Sequence, residues 1–190
     1  MQMTRNILRI YRSATPEQHA AGVAWYPLAY DIANEYANGD VWKGAGVIAA
    51  FSPQTPWERN VELAIDSLQS GVARTETLGG SVVKAQRIID GEHPLDVLGG
   101  QKTLAFADNI AHAGDSRIVT VDVHAHNLAH GYKDSKASIG KRLYADISEA
   151  YTRAARREGI RVTEMQAITW VVWRAMFDSK GRPIVKSLAA

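Results

Sequence analysis

The segment Val41 to Phe51 limits the fold more than any other part of the chain. It reads Val-Trp-Lys-Gly-Ala-Gly-Val-Ile-Ala-Ala-Phe, with a single charge near its start. This is far short of the ~20 apolar residues that a membrane-spanning helix needs. A helix that is apolar on nearly every side must instead be enclosed by other elements, so the segment predicts a buried central helix. Asp40 stands ready to cap its first turn, and Ser52-Pro53 breaks it at the other end.

The rest of the chain offers helices to surround it. Thr4 to Arg12 spaces Arg5, Arg9 and Arg12 at i, i+4 and i+7 around Ile7, Leu8 and Ile10. That pattern fits a surface helix with a solvated basic face, or a stripe facing phosphates. Thr15-Pro16-Glu17-Gln18 is a helix start, with a cap, a proline in the first turn and a glutamine three residues after the cap. Apolar periodicity continues to Tyr36, where Asn38-Gly39 ends it, and Pro27 must kink that helix or begin a second. Thr55-Pro56-Trp57-Glu58 predicts a capping box that opens a helix running to Gly71. Further helices are expected over Ser81–Asp90, Ile139–Glu158 and Thr163–Phe177, the last strongly apolar. Arg153, Arg156 and Arg157 share a face near the end of the long helix, where the helix dipole already favours cations. Only Ile118 to Val121 reads as strand-like, so the fold class is all-α; a Rossmann or ferredoxin-like fold would need several strands.

With 190 residues, 46% of them hydrophobic, the chain suits a single domain, 1–190, built as two packed helical lobes. A net charge of +2 leans basic without requiring a nucleic-acid partner. The absence of cysteine excludes disulfides, thiolate metal sites and an iron–sulfur cluster. No signal-peptide core opens the chain and no membrane partner is expected, so the protein is read as cytoplasmic.

The stretch from Pro94 to His126 carries the functional signal. Pro94 suits a first helical turn, Gly99-Gly100 supplies backbone freedom for a tight reversal, and a second helix resumes at Gln101-Lys102-Thr103. A helix that opens after a glycine turn points free N–H groups outward, a way to hold phosphate. Twenty positions beyond Lys102, Asp122 follows the apolar run and precedes Val123-His124. It can cap a helix over Val123 to His130 and still keep a second carboxylate oxygen. Upstream, Ser52-Pro53-Gln54 lies at the joint of two helices, a place from which Gln54 can reach a ligand. Arg59 and Asn60 on the following turn are candidates for the same surface.

In order and spacing, these pieces resemble the helix-hairpin-helix DNA glycosylase superfamily, over roughly Ala45 to His130. The resemblance implies a helix-hairpin-helix DNA glycosylase-like helical fold, with a cleft near residues 52–60 and 98–126. It implies a DNA-phosphate grip at Gly99, Gly100, Gln101 and Thr103, with Lys102 as nucleophile in bifunctional members. Asp122 would be the catalytic carboxylate with His124 beside it, and Gln54 would fill the gap left by a flipped base. The hairpin here is one residue shorter than the family's Gly-x-Gly. In its size, missing cluster and altered hairpin the chain is similar to glycosylase-like amino acid:DNA transferases of tailed phages, which implies a phage-encoded protein acting in a bacterial host.

Three functions follow as expectations. The favoured one is a transferase in DNA hypermodification, joining an amine or amino-acid co-substrate to a pyrophosphorylated 5-hydroxymethyl pyrimidine. There Asp122 would orient or deprotonate the amine, while Lys102 and Arg59 would bind the leaving pyrophosphate. The alternative is base excision by a DNA glycosylase, with Lys102 forming a Schiff base. The third is a DNA-binding module without chemistry. No cofactor is expected, and the need for a divalent metal ion is left open. His124 and His126 should point apart once a helix starts at Val123, whereas His126 and His130 should share a face.

Overall fold

Several helix starts written into the sequence are made by local side-chain hydrogen bonds. The Asp40 carboxylate accepts from the Lys43 N–H at 3.0 Å, and Asp122 accepts from the Ala125 N–H at 2.8 Å. Thr15 and Gln18 form a reciprocal box, with Gln18 N–H donating to Thr15 Oγ1 and Thr15 N–H to Gln18 Oε1. The computed structural model describes residues 1–177. Those residues form α1 (Gln2–Arg12), α2 (Pro16–Tyr36), α3 (Val41–Phe51), α4 (Trp57–Ser70) and α5 (Gly79–Ile89). They continue as α6 (Pro94–Val97), α7 (Gln101–Ala111), α8 (Val123–His130), α9 (Lys141–Glu158) and α10 (Val162–Ala175). No β-strand occurs among the described residues, so the fold is all-α.

The chain divides into two units. The first joins Met1–Trp25 to the chain from Val121 onward, and the second is Tyr26–Thr120. In the second unit α3 is the centre, with every residue from Gly44 to Phe51 buried against α4, α5, α6 and α7. Two of its glycines are there for closeness of approach. A Cβ on Gly44 would fall on the Ala33 carbonyl of α2, and one on Gly46 would lie 2.5 Å from Pro94 Cγ of α6.

In the first unit α1 packs against α8, α9 and α10. Its inner face buries Ile7, Leu8 and Ile10, while Arg5, Arg9 and Arg12 face outward. The buried Asn6 donates from Nδ2 to the Ala129 carbonyl at 2.8 Å, which ties α1 to the end of α8. The apolar stripe of α9 includes two tyrosines, Tyr144 and Tyr151, beside Ile147 and Ala154. From α10, Val172 and Trp173 join Ile10 and Leu128 in one core cluster.

Three sequence expectations need correction, and a fourth is narrowed. The capping box at Thr55 does not form. Pro56 is itself the extended N-cap of α4, so Thr55 lies one residue too early and its hydroxyl turns to the Pro53 carbonyl and to Thr77 Oγ1. Of the two alternatives for Pro27, a second helix does not begin there, since α2 runs through it in one span. The missing N–H leaves the Val23 carbonyl without its usual helical donor, and the boundary between the units falls just before, at Trp25–Tyr26. Ile118 to Val121 joins no strand. The Val121 N–H donates at 3.2 Å to the hydroxyl of Tyr144, a side chain doing what a neighbouring strand would do. Finally, Gly99 and Gly100 do not use the left-handed region; Gly100 is extended at φ −103° and ψ 134°. The reversal between α6 and α7 therefore needs no backbone freedom special to glycine.

Candidate functional site

In the second unit, the turn before α7 meets the joint between α3 and α4. Lys102, on the first turn of α7, donates from Nζ to Ser52 Oγ at 3.2 Å. The Ser52 hydroxyl donates a hydrogen bond to the Ala49 carbonyl at 2.9 Å, at the end of α3. The hydroxyl is thus held by a helix end on one side and receives the lysine on the other. Two residues on, Gln54 is exposed and sits at φ +59°, a left-handed conformation that costs a residue with a Cβ. The structure therefore gathers Lys102, Ser52 and the Gln54 joint from positions fifty residues apart. The serine was legible only as a neighbour of Gln54; its pairing with Lys102 depends on how α3 packs against α7.

The turn itself is unusually bare. A Cβ on Gly99 would meet nothing, and one on Gly100 only Thr103 Oγ1 at 3.2 Å. No side chain caps α7; Thr103 instead donates back to the Gly100 carbonyl at 2.9 Å, and Gln101 is exposed. Neither φ nor crowding explains two successive glycines here. What they do is leave backbone open beside a lysine, at a helix N-terminus.

In the first unit, Asp122 is half-buried at the start of α8. One carboxylate oxygen accepts the Ala125 N–H, and the other makes no hydrogen bond among the described residues. Two phenols of α9 lie close enough to feel its charge. Burial pushes the Tyr144 hydroxyl up from its ordinary value, with Asp122 adding to the rise and the Val121 N–H opposing it. Tyr151 is wholly buried and its phenol is pushed up by burial, again with Asp122 contributing, while Thr169 offsets part of the rise. The sequence carried one available signal for these two groups, namely tyrosines seven apart on the apolar stripe of an amphipathic helix.

The other expected residues divide. Arg59 is exposed and paired with Glu62 at 3.0 Å. Asn60 does not share that surface: it is buried, in line with Leu63, Ala64 and Ser67 on the inner stripe of α4, and its Oδ1 has no partner among the described residues. His124 is half-buried, with Nδ1 enclosed and unpaired. His126 and His130 do share a face, their rings stacked at 4.2 Å. Each has a local partner, Asn127 Oδ1 for His126 and the His126 carbonyl for His130. Among the described residues no three His, Asp or Glu side chains gather as a metal site, and no helix is long and apolar enough to cross a membrane.

Fold and side chains together define an all-helical protein of two units, with a buttressed aspartate in one and a bare, lysine-flanked turn in the other. Residues 1–177 match the model of a family of unknown function, DUF7178, and the chain belongs to that family. No curated protein and no solved structure matches it.

Proposed function

We propose that this protein is a DNA-nucleobase-modifying enzyme of the helix-hairpin-helix glycosylase-like kind, acting as a transferase on a flipped pyrimidine. The observation that carries the reading is Asp122, half-buried, with one oxygen committed to the helix and the other uncommitted among the described residues. A carboxylate held this way is pre-positioned to take a proton without losing its place. In the proposed reaction an amine nitrogen bonds to the 5-methylene carbon of the base. The carbon–oxygen bond to pyrophosphate breaks, its electron pair leaves on oxygen, and the surplus proton of the amine passes to Asp122. The co-substrate is an amine or amino acid, and Lys102 with the bare Gly99–Gly100 turn is suited to a phosphate group.

Transfer is favoured over excision by the Gly99-Gly100 hairpin, one residue shorter than the grip of the excising enzymes. The Lys102 Nζ donor bond to Ser52 suits either chemistry, since an amine can donate an N–H and still present its lone pair. The test is mass spectrometry of nucleosides after incubation with DNA bearing a pyrophosphorylated 5-hydroxymethyl pyrimidine and a mixture of amines. A heavier pyrimidine together with released pyrophosphate is expected. A freed base or an abasic site would replace transfer by excision, and unchanged DNA with every amine would remove the enzyme reading.

A further inference from the structure

The net charge of +2 conceals a separation between the two units. Among the described residues, the first unit has 12 Lys and Arg against 7 Asp and Glu, a net of +5. The second has 7 against 12, a net of −5. The acidic unit is one continuous stretch of chain, whereas the basic unit is assembled from segments on either side of it in the sequence. The glycine turn and Lys102 lie in the acidic unit, which is a poor place for a long polyanion to settle.

Within the basic unit, the excess has a focus. The C-terminal ends of α1 and α9 are joined by Arg12 and Glu158, at 2.8 Å. Just beyond them Arg161 pairs with Glu164 at the start of α10, at 2.7 Å. The charges of Glu158 and Glu164 both reach Tyr11, after burial the main causes of its raised phenol, so the two acids belong to one neighbourhood. Each acid is matched by an arginine. Arg9, one turn before Arg12, and Arg156 and Arg157, on the last turn of α9, are exposed and have no acidic partner among the described residues. The dipoles of α1 and α9 favour some positive charge at these helix ends. Three arginines without acidic partners among the described residues, beyond two that have them, exceed that need and leave an exposed positive surface open to an anionic partner.

We infer that the end of the first unit carrying Arg9, Arg156 and Arg157 is the surface that takes the DNA phosphate backbone, and that the glycine turn of the second unit is not. This rests on the proposed action on DNA and gives that partner a place. Guanidinium groups on two helix ends suit successive phosphates, since each offers a forked set of donors and stays charged at any working pH. Neutralised phosphates release counterions, so the surface has a measurable signature in the salt dependence of binding.

The experiment measures affinity for a mixed-sequence DNA duplex between about 50 and 200 mM salt. It compares the parent, a triple variant Arg9→Ala, Arg156→Ala, Arg157→Ala, and a control triple in the second unit, Lys43→Ala, Lys84→Ala, Arg117→Ala. Both triples remove three positive charges, and circular dichroism checks that each keeps its helices. The first triple should lose at least about tenfold in affinity at low salt, and its log K against log salt slope should fall by two to three units, since each phosphate contact contributes about 0.9. The control triple should keep the parent slope. A parent slope retained in the first triple, or an equal fall in the control, would overturn the surface and leave DNA as the partner. A parent that ignores DNA at every salt concentration, or binds anionic phosphatidylserine vesicles instead, would overturn the surface and the DNA reading together.

Discussion

Lys102 and Ser52 meet across 3.2 Å although fifty residues separate them, and their contact fastens the first turn of α7 to the last turn of α3. Lys102→Ala should keep the fold while losing a part-buried hydrogen bond to Ser52, at about 0.5–1.5 kcal/mol in unfolding. Borohydride reduction separates its chemical roles. If Lys102 serves phosphate, neither the parent nor the variant is trapped on DNA, and the variant shows a raised KM for the pyrophosphorylated substrate. A covalent adduct in the parent that disappears in the variant would restore the Schiff-base mechanism.

Asp122 joins a structural duty to a chemical one, and substitution can part them. Asp122→Asn keeps an oxygen for the Ala125 N–H, so its melting temperature should stay close to the parent's. Its rate of nucleobase modification should fall by about 10²-fold or more, the scale of a missing acid–base group. Asp122→Ala should lose the same activity and also about 1 kcal/mol with the cap. Full activity in Asp122→Asn would remove this residue from the mechanism.

The two phenols near Asp122 should respond oppositely to removal of their hydroxyls. Tyr144→Phe leaves the buried Val121 N–H without its acceptor and should cost about 1–3 kcal/mol in denaturant unfolding. Tyr151→Phe removes a buried hydroxyl that has no hydrogen bond of ordinary length, and should be neutral or stabilising. Comparable losses for both would contradict this assignment.

Alkaline pH should expose the same asymmetry. Both phenols are raised in the folded state above the ordinary value of 10.0, so the folded protein holds these protons more tightly than the unfolded chain. Their contribution to stability is therefore complete below pH 10 and is lost as pH rises from there toward the folded-state values. Tyr151→Phe should flatten that decline in a series of unfolding curves at rising pH. An unchanged decline would mean that Tyr151 ionises no later in the folded protein than in the unfolded chain.

Glycines that look alike in sequence should behave differently. Gly44→Ala drives a methyl into the Ala33 carbonyl, and Gly46→Ala drives one into Pro94, so each should destabilise by about 1–3 kcal/mol or more. Gly99→Ala meets no atom and needs no left-handed backbone, and should leave the melting temperature unchanged. If the bare turn takes a phosphate group of the substrate, that same variant should raise KM without affecting unfolding.

The chain's own order determined the helices, because their ends are set by bonds that span three or four residues. Asp40, Asp122 and the Thr15–Gln18 pair each reach a backbone or side-chain partner within the first turn, and the apolar run from Val41 could only be an enclosed helix. The all-α class followed from the same local physics. Tertiary structure alone decided what lay across the chain. It turned Asn60 inward with Leu63, brought Ser52 to Lys102, and supplied Tyr144 as the acceptor that an apparent strand at Val121 lacked. It also sorted, among the described residues, twelve basic against seven acidic ones into a unit built from the two ends of the chain. Such partners are chosen by packing over long separations, where periodicity and capping patterns carry no information about which helices will meet.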